Sequence, residues 1–179
     1  ILDFNEIDQT LTVEAGCITE EAQNFAESKG ACFPVDFAAR GSSHIGGNVA
    51  TNVGGLNVVR YGLMRDWVAG LEVVTGAGEI LKLNNSLVKN ATGYDLRHLF
   101  IGSEGTLGII TKVTLKLTEP AKETSVVILG LEKHENVSHI FQTFRAKIRM
   151  TAFELFTKEA MEYVLKLHTE LSSPIESDP

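Results

Sequence analysis

Residues 9–15 (Gln-Thr-Leu-Thr-Val-Glu-Ala) alternate polar and apolar side chains, the period of a half-buried β-strand. Thr19 then stands as a helix N-cap, with Glu20 and Glu21 in the first turn, where the helix dipole favours negative charge. Ala22, Phe25 and Ala26 make the apolar stripe of that helix, and Gly30 is placed to end it. Residues 71–75 and 79–83 predict two strands joined through Gly76-Ala77-Gly78 as a hairpin. Residues 95–100 predict a short helix with Leu96, Leu99 and Phe100 on one side. From 109 to 118 the alternation is the clearest in the chain, with Ile109, Thr111, Val113, Leu115 and Leu117 facing one way. Strands separated by short helices, with hairpins among them, predict an α+β fold rather than a doubly wound parallel sheet.

After Glu119-Pro120 the texture changes. A strand at 125–129, a helix near 135–148, a strand at 152–156 and a helix at 158–167 follow, without the glycine density of the first part. The expected boundary lies near residue 122, giving segments 1–122 and 123–179.

Composition narrows the partners. In 179 residues, 44% hydrophobic and 22% charged side chains are ordinary for a globular chain. A net charge of -7 with a pI of 5.2 disfavours nucleic acid, whose phosphates require a Lys/Arg surface, and disfavours an anionic membrane surface. The longest uncharged run, from Gly41 to Val59, is broken by Gly, Ser, Asn and Thr, so no membrane span is expected. Cys17 and Cys32 make neither a disulfide framework nor a zinc site and read as small buried hydrophobes. With no signal peptide in view, the sequons at Asn84, Asn90 and Asn136 read as accidental. A chain that opens on Ile1 in strand-like sequence and ends in Ser172-Ser173-Pro174 and an acidic tail is expected to be a piece of something longer.

The candidate chemistry lies in glycine. Six of the 16 glycines fall between Gly41 and Gly62, among Ser42, Ser43, Asn48, Thr51, Asn52 and Asn57. Glycine permits positive φ and lets a ligand approach the backbone, so successive N–H groups can converge on an anion, as a nest or at the first turn of a short helix over Ile45–Ala50 opened by Ser42-Ser43. No charged residue lies between Arg40 and Arg60, so a diphosphate there would be held by backbone N–H groups and hydroxyls. Gly41 and Gly46 have the spacing of a phosphate-binding Walker loop, but Gly47 and Asn48 stand where Lys and Ser/Thr belong. No Gly-x-Gly-x-x-Gly follows a strand, which argues against a Rossmann site. The bland alternative is a run of tight turns in a small-residue core. A second cluster, Gly102-Ser103-Glu104-Gly105-Thr106-Leu107-Gly108, leads into the 109–118 strand; alone it could be a helix cap followed by a strand bulge.

Taken together, the clusters resemble the FAD-binding domain of the FAD-linked oxidases, the vanillyl-alcohol oxidase and p-cresol methylhydroxylase superfamily. The resemblance runs through Pro34-Val35-Asp36, the stretch from Gly41 to Gly55, Arg60-Tyr61-Gly62, Leu71-Glu72-Val73-Val74, Thr92-Gly93-Tyr94-Asp95-Leu96 and the stretch from Leu99 to Thr111, and so covers almost the whole chain. It is closest to the branch of D-2-hydroxyglutarate dehydrogenase, the D-lactate dehydrogenases and the FAD-binding glycolate oxidase subunit. The resemblance implies an α+β FAD-binding domain of the p-cresol methylhydroxylase type, a mixed sheet with flanking helices, of which 1–122 is the C-terminal part. Residues 123–179 would open an α+β substrate, or cap, domain.

It also implies non-covalent FAD. The Ser42–Gly47 backbone would lie along the diphosphate, Asn52, Gly54 and Gly55 near the flavin ring and ribityl chain, Tyr61 and Gly62 close by, and Ile109-Ile110 at the nucleotide end. The implied cofactor-binding set is Pro34, Gly41, Ser42, Ser43, Ile45, Gly46, Gly47, Asn48, Thr51, Asn52, Gly54, Gly55, Tyr61, Gly62, Glu104, Gly105, Gly108, Ile109 and Ile110. His44 reads as a non-covalent lining residue and Arg60 as a solvated arginine. His98, His134, His139 and His168 lie on predicted helices without metal spacing. A first glycine loop closing on the diphosphate, and a His-x-Gly-Asp-Gly-Asn motif for a divalent metal, zinc, are implied outside this chain, together with basic residues for substrate carboxylates. The implied reaction oxidises a D-2-hydroxy acid of the 2-hydroxyglutarate, lactate or glycolate class to the 2-oxo acid by hydride transfer to flavin N5, with an electron acceptor as second partner. No residue here is assigned as catalytic base. A homodimer is implied, cytoplasmic if bacterial and mitochondrial if eukaryotic. Two other readings remain open: a non-catalytic nucleotide-binding or assembly module, and a same-fold oxidase of a sugar or an aromatic alcohol.

Overall fold

The computed structural model describes residues 1–84 and 89–175. The sequons at Asn90 and Asn136 lie within that range, whereas Asn85 and Ser86 of the one at Asn84, and the end of the acidic tail, lie outside it. The chain divides into two compact units, Ile1–Pro120 and Ala121–Pro179.

In the first unit, strands β1 (Asp3–Asn5), β2 (Thr10–Glu14), β3 (Val68–Thr75), β4 (Ile80–Leu83) and β5 (Gly108–Lys116) form one sheet in the order β1-β2-β5-β3-β4. The helices are α1 (Thr19–Ser28), α2 (Ile45–Ala50), α3 (Val58–Tyr61), α4 (Met64–Trp67) and α5 (Arg97–Phe100). The α+β class holds. A mixed sheet was expected, yet each strand pairing among the described residues is antiparallel. The reason is topological: β2 and β3 run the same way, but β5 enters between them and pairs with both in the opposite sense. The core lies where β2 and β5 meet α1 and α2, with Leu11, Val13, Val113, Leu115, Ala22, Ala26, Ile45 and Val49 all buried. Each fully buried Leu or Val there contributes roughly 1.5–3 kcal/mol.

α1 begins as expected in composition but not in its cap. Ile18 is the N-cap, and Thr19 is the first helical residue, fully buried. Its hydroxyl is used elsewhere, as described below. At the other end, Gly30 takes φ +73°, with Gly30 N–H donating to Glu27 O at 2.9 Å and Ala31 N–H to Ala26 O at 2.9 Å, a Schellman closure. Phe25 meets Phe4 edge-on at 6.0 Å, so the apolar stripe also seats β1.

β5 corrects the facing read from its alternation. Val73 pairs with Ile110 and Glu72 with Lys112, leaving Thr111 without an opposite residue. This bulge changes the parity of the strand. Val113, Leu115 and Leu117 stay inside, but Ile110 rather than Ile109 continues the buried face, and Ile109 is 64% exposed. A second irregularity sits at Ala69, between the Val68–Leu115 and Gly70–Thr114 pairs. There the Val68 and Ala69 carbonyls accept from the Arg97 guanidinium at 2.7 and 2.6 Å, so the helix α5 side chain satisfies what the bulge leaves open.

The second unit contains α6 (Asn136–Lys147) and α7 (Lys158–Leu167), near the positions expected. Thr157 caps α7, its Oγ1 accepting from Ala160 N–H at 3.2 Å, and Phe141 packs edge-on against Phe153 at 5.1 Å. The strands expected at 125–129 and 152–156 do not form. Val126, Val127 and Ile128 are exposed, and a strand without a hydrogen-bonded neighbour has nothing to hold it extended. Among the described residues, no helix is long and apolar enough to cross a membrane.

Candidate functional site

The glycine-rich segment is an exposed loop, residues 36–44, running into α2. Antiparallel bridging of His44 to Ile18 binds it to the start of α1. Its backbone donors are partly committed. Ser42 and Ser43 N–H donate to Ala39 O at 3.0 and 2.9 Å, Ile45 N–H to Cys17 O at 2.9 Å, and Gly46 N–H to Ala15 O at 2.8 Å. Gly46 is also closed in space, since a Cβ there would collide with Ala15. Among the described residues, the N–H groups of Gly41, His44 and Gly47 have no protein acceptor, and Gly47 has open space where a Cβ would stand. Contrary to the sequence expectation, Ser42-Ser43 does not cap α2; His44 is its N-cap, without a side-chain cap hydrogen bond. Thr51 turns its hydroxyl back to Gly47 O at 3.0 Å, as a helical threonine does.

Behind the loop lies a buried polar group. The Asn48 Nδ2 donates to Thr19 Oγ1 at 2.6 Å, and Thr19 Oγ1 lies 2.7 Å from Ser43 Oγ and 3.2 Å from Ser43 O. Thr19 N–H donates to the same carbonyl at 3.0 Å. The hydroxyl of Thr19, just before Glu20 and Glu21, suits an N-cap in the sequence, which is why its tertiary role escapes a local reading.

The structure brings the two glycine clusters together at the C-terminal end of α2. Gly102 N–H donates to Val49 O at 3.1 Å and Glu104 N–H to Ala50 O at 2.9 Å. Gly102 takes φ +82° and lies so close to Asn52 that an added Cβ would stand 3.3 Å from its Cβ. Asn52 itself has φ +49° and closes α2 through Asn52 N–H to Val49 O and Val53 N–H to Asn48 O. Its Oδ1 then accepts from Arg65 N–H at 2.9 Å, at the start of α4. Asp66 accepts from Leu63 N–H at 2.8 Å at the same end. Asn52 thus ends one helix and starts another.

Gly54 and Gly55 pass over the Pro34–Asp36 segment, where Leu56 N–H donates to Asp36 O at 2.9 Å and Asn57 Nδ2 to Pro34 O at 3.1 Å. Tyr61 O accepts from Trp67 Nε1 at 2.7 Å, with the two rings edge-on at 6.0 Å. Arg60 stacks its guanidinium 4.9 Å over the Tyr61 ring. Gly105 is exposed beside Glu104, whereas Gly108 is inside the sheet, where a Cβ would meet Val74 O at 2.7 Å. Ile109 is exposed and Ile110 faces the core, so their side chains leave on opposite faces of β5.

The charges near the loop are paired among themselves. Arg40 meets Asp36 at 2.9 Å and Glu20 at 3.4 Å, and the Asp36 hydrogen bond raises the guanidinium above its ordinary value. Burial pushes the Cys17 and Cys32 thiols up, so neither is a ready thiolate. Among the described residues, no three His, Cys, Asp or Glu side chains are grouped to hold a metal ion. Asp95 is held below its usual value, chiefly by the hydrogen bond from Arg97, with a 2.6 Å ion pair. A carboxylate lowered in the folded state stabilises it above the unfolded value of about 3.9, and that contribution is lost as pH falls through the folded value. Asp95→Asn is therefore expected to flatten the acid limb of the stability profile below about pH 4, read from thermal unfolding at stepped pH.

Residues 1–84 match the family described as the FAD binding domain. The fold agrees: a solved alkyldihydroxyacetonephosphate synthase superposes with a TM-score of 0.60 at 28% identity, over 69% of this chain and 22% of that one. Residues 1–84 thus match an FAD-binding domain, on a fold of the p-cresol methylhydroxylase type. Among individual proteins, it is similar to the D-2-hydroxyglutarate dehydrogenase of Xanthomonas citri pv. viticola, 57% identical over 164 residues, 92% of this chain and 35% of the relative. It is also similar to the mitochondrial D-2-hydroxyglutarate dehydrogenase of Bos taurus, 44% identical over 181 residues, 100% of this chain and 33% of the relative. The chain spans about a third of the length of these curated relatives.

Proposed function

We propose that this chain is the FAD-binding segment of a larger flavin-dependent dehydrogenase that oxidises a D-2-hydroxy acid to its 2-oxo acid. The observation that carries the reading is the meeting of the two glycine clusters on α2, where Gly102 and Glu104 donate to Val49 and Ala50. That contact makes one continuous surface from segments far apart in sequence, and relatives named D-2-hydroxyglutarate dehydrogenase supply the substrate class.

The residues fit a diphosphate through backbone donors. The N–H groups of Gly41, His44 and Gly47 lie on a largely exposed stretch whose nearest cation, Arg40, is already paired with Asp36 and Glu20, and the open space at Gly47 admits a ligand against the main chain. Ser42, Ser43, Ile45 and Gly46 would shape this loop rather than donate their N–H groups. Asn52, Gly54, Gly55, Tyr61 and Gly62 would form the wall next to the flavin and ribityl chain. Pro34, Asn48 and Thr51 would support it, with Glu104, Gly105, Gly108, Ile109 and Ile110 toward the nucleotide. FAD, when bound, supplies the hydride acceptor at flavin N5. This chain's part is to bind and orient it; the base and the substrate-carboxylate ligands belong to other segments.

The same reading makes 1–122 the C-terminal part of the FAD domain and 123–179 the opening of the substrate domain. It places a divalent metal, zinc, on residues outside this chain, and adds an electron acceptor and a homodimer. The protein would be cytoplasmic in a bacterium and mitochondrial in a eukaryote, as relatives of both kinds are known. The test is purification of the full-length protein. A flavin band at about 450 nm and turnover of D-2-hydroxyglutarate, D-lactate or glycolate are expected. A colourless protein that gains nothing on adding FAD overturns the cofactor assignment, and a yellow one inert to all three acids overturns the substrate class.

A further inference from the structure

The buried hydroxyl of Thr19 has more hydrogen-bond partners than its single proton can serve, and this fixes which way the protons run. Thr19 is fully buried and Asn48 is 6% exposed. The Asn48 Nδ2 can only donate, so Thr19 Oγ1 accepts from it at 2.6 Å. Thr19 then has one proton for two acceptors on the same residue, the Ser43 carbonyl at 3.2 Å and the Ser43 hydroxyl at 2.7 Å. If Thr19 gives its proton to the carbonyl, Ser43 Oγ donates inward to Thr19. If Thr19 gives its proton to Ser43 Oγ, the Ser43 proton is freed for a partner outside. The carbonyl loses little by the exchange, because Thr19 N–H already donates to it at 3.0 Å. Ser43 is half-buried on the loop, between this interior group and the solvent side.

We propose that Asn48, Thr19 and Ser43 form a donor relay that turns the Ser43 hydroxyl proton outward onto an anion seated on the loop, the FAD diphosphate in the function proposed above. Each bond in such a chain polarises the next, and the last is charge-assisted, so the outward arrangement is favoured when an anion is present. Without one, Ser43 donates inward and the loop keeps its hydrogen bonds. Thr19 is a positioning residue in this scheme: it acts on the ligand only through Ser43.

The test is a double-mutant cycle in the full-length protein, reading the FAD dissociation constant by the quenching of flavin fluorescence on binding to apoprotein. Ser43→Ala changes only the half-buried end of the relay and is expected to weaken FAD about tenfold. Thr19→Val is expected to weaken it by a similar factor, Thr19→Ser to restore wild-type binding, and the Thr19→Val/Ser43→Ala pair to bind like Ser43→Ala alone. Thermal unfolding of each apoprotein keeps the titrations below its melting temperature; if Thr19→Val does not fold, Asn48→Ala takes its place in the cycle. FAD binding by Ser43→Ala within twofold of wild type overturns the relay. So do additive losses in the pair, which mark Thr19 as merely structural. A wild-type protein that binds no FAD instead overturns the cofactor assignment itself, and so is distinguishable from failure of the relay.

Discussion

Replacing Gly55 by alanine is expected to destabilise the protein by about 3 kcal/mol, the upper range for a side chain forced into a sparsely populated backbone region. Gly55 has φ +139°, and a Cβ built there would collide with the Asp36 carbonyl oxygen. The chain has little room to relieve the clash, because the next residue, Leu56, donates its N–H to that same oxygen at 2.9 Å. Moving Gly55 away breaks the hydrogen bond that holds the 54–57 segment over Pro34 and Asp36. Gly47→Ala is the control: its φ is not positive and open space surrounds the new methyl. In α2 that exchange removes a flexible residue from a helix and is expected to be neutral or favourable by under about 1 kcal/mol. Denaturant unfolding of the two variants side by side checks the contrast; equal stability of Gly55→Ala and wild type would contradict it.

The core effect should be larger. Leu115→Ala is expected to cost about 4 kcal/mol, within the range for a buried leucine that leaves a cavity. Leu115 is fully buried in β5, opposite Leu11 on one side and Val68 on the other, both buried themselves. Neighbours on two strands that are each hydrogen-bonded to β5 cannot collapse far into the gap. The matched control lies on the same strand: Ile109, 64% exposed, should tolerate alanine within about 0.5 kcal/mol. An urea midpoint that falls for Leu115→Ala with an unchanged slope, and stays for Ile109→Ala, is the expected pair of results. Equal losses at both positions would show that the Thr111 bulge does not reverse the facing of the strand.

That bulge also shows where local reading stops. The alternation from 109 to 118 locates β5, because a sheet with one buried face imposes a period of two. It misplaces Ile109 because a single extra residue inverts the parity, and nothing in Ile109-Ile110-Thr111 signals it. The span of α2, the C-terminal end of α1 and the hairpin tip were legible, since glycine and the apolar stripe act within a few residues; the N-caps of both helices were not. The short helices α3 and α4 were not, being held by Asn52, Asp66 and Asn57 rather than by their own propensity. At 125–129 the run of Val and Ile satisfies strand preference, but a strand is made by its partner.

The site divides along the same line. The two glycine clusters are visible because positive φ and close approach select glycine, and Gly102, Gly105, Gly55 and Gly62 do take positive φ. Which backbone donors remain for a ligand is set by Ala39 within the loop and by Ala15 and Cys17, carbonyls from a segment well before it. The tertiary roles of Arg97 and Thr19 were missed for the same reason. Their partners, Val68 and Ala69 for one and Ser43 and Asn48 for the other, are remote in sequence.

The place of β5 in the sheet has a consequence for how the protein is made. β1 and β2 leave the ribosome as one ribbon and β3 and β4 as another, and the strand that joins them is the last of the five to be synthesised. At translation speeds of roughly 5–20 residues per second, the interval between β4 and β5 lasts a second or more. During that time β2 and β3 each present an open edge carrying Leu11, Val13, Leu71 and Val73. Open edges of this kind can pair with other chains, so the sheet is protected against such pairing only once β5 has emerged and taken its place between them.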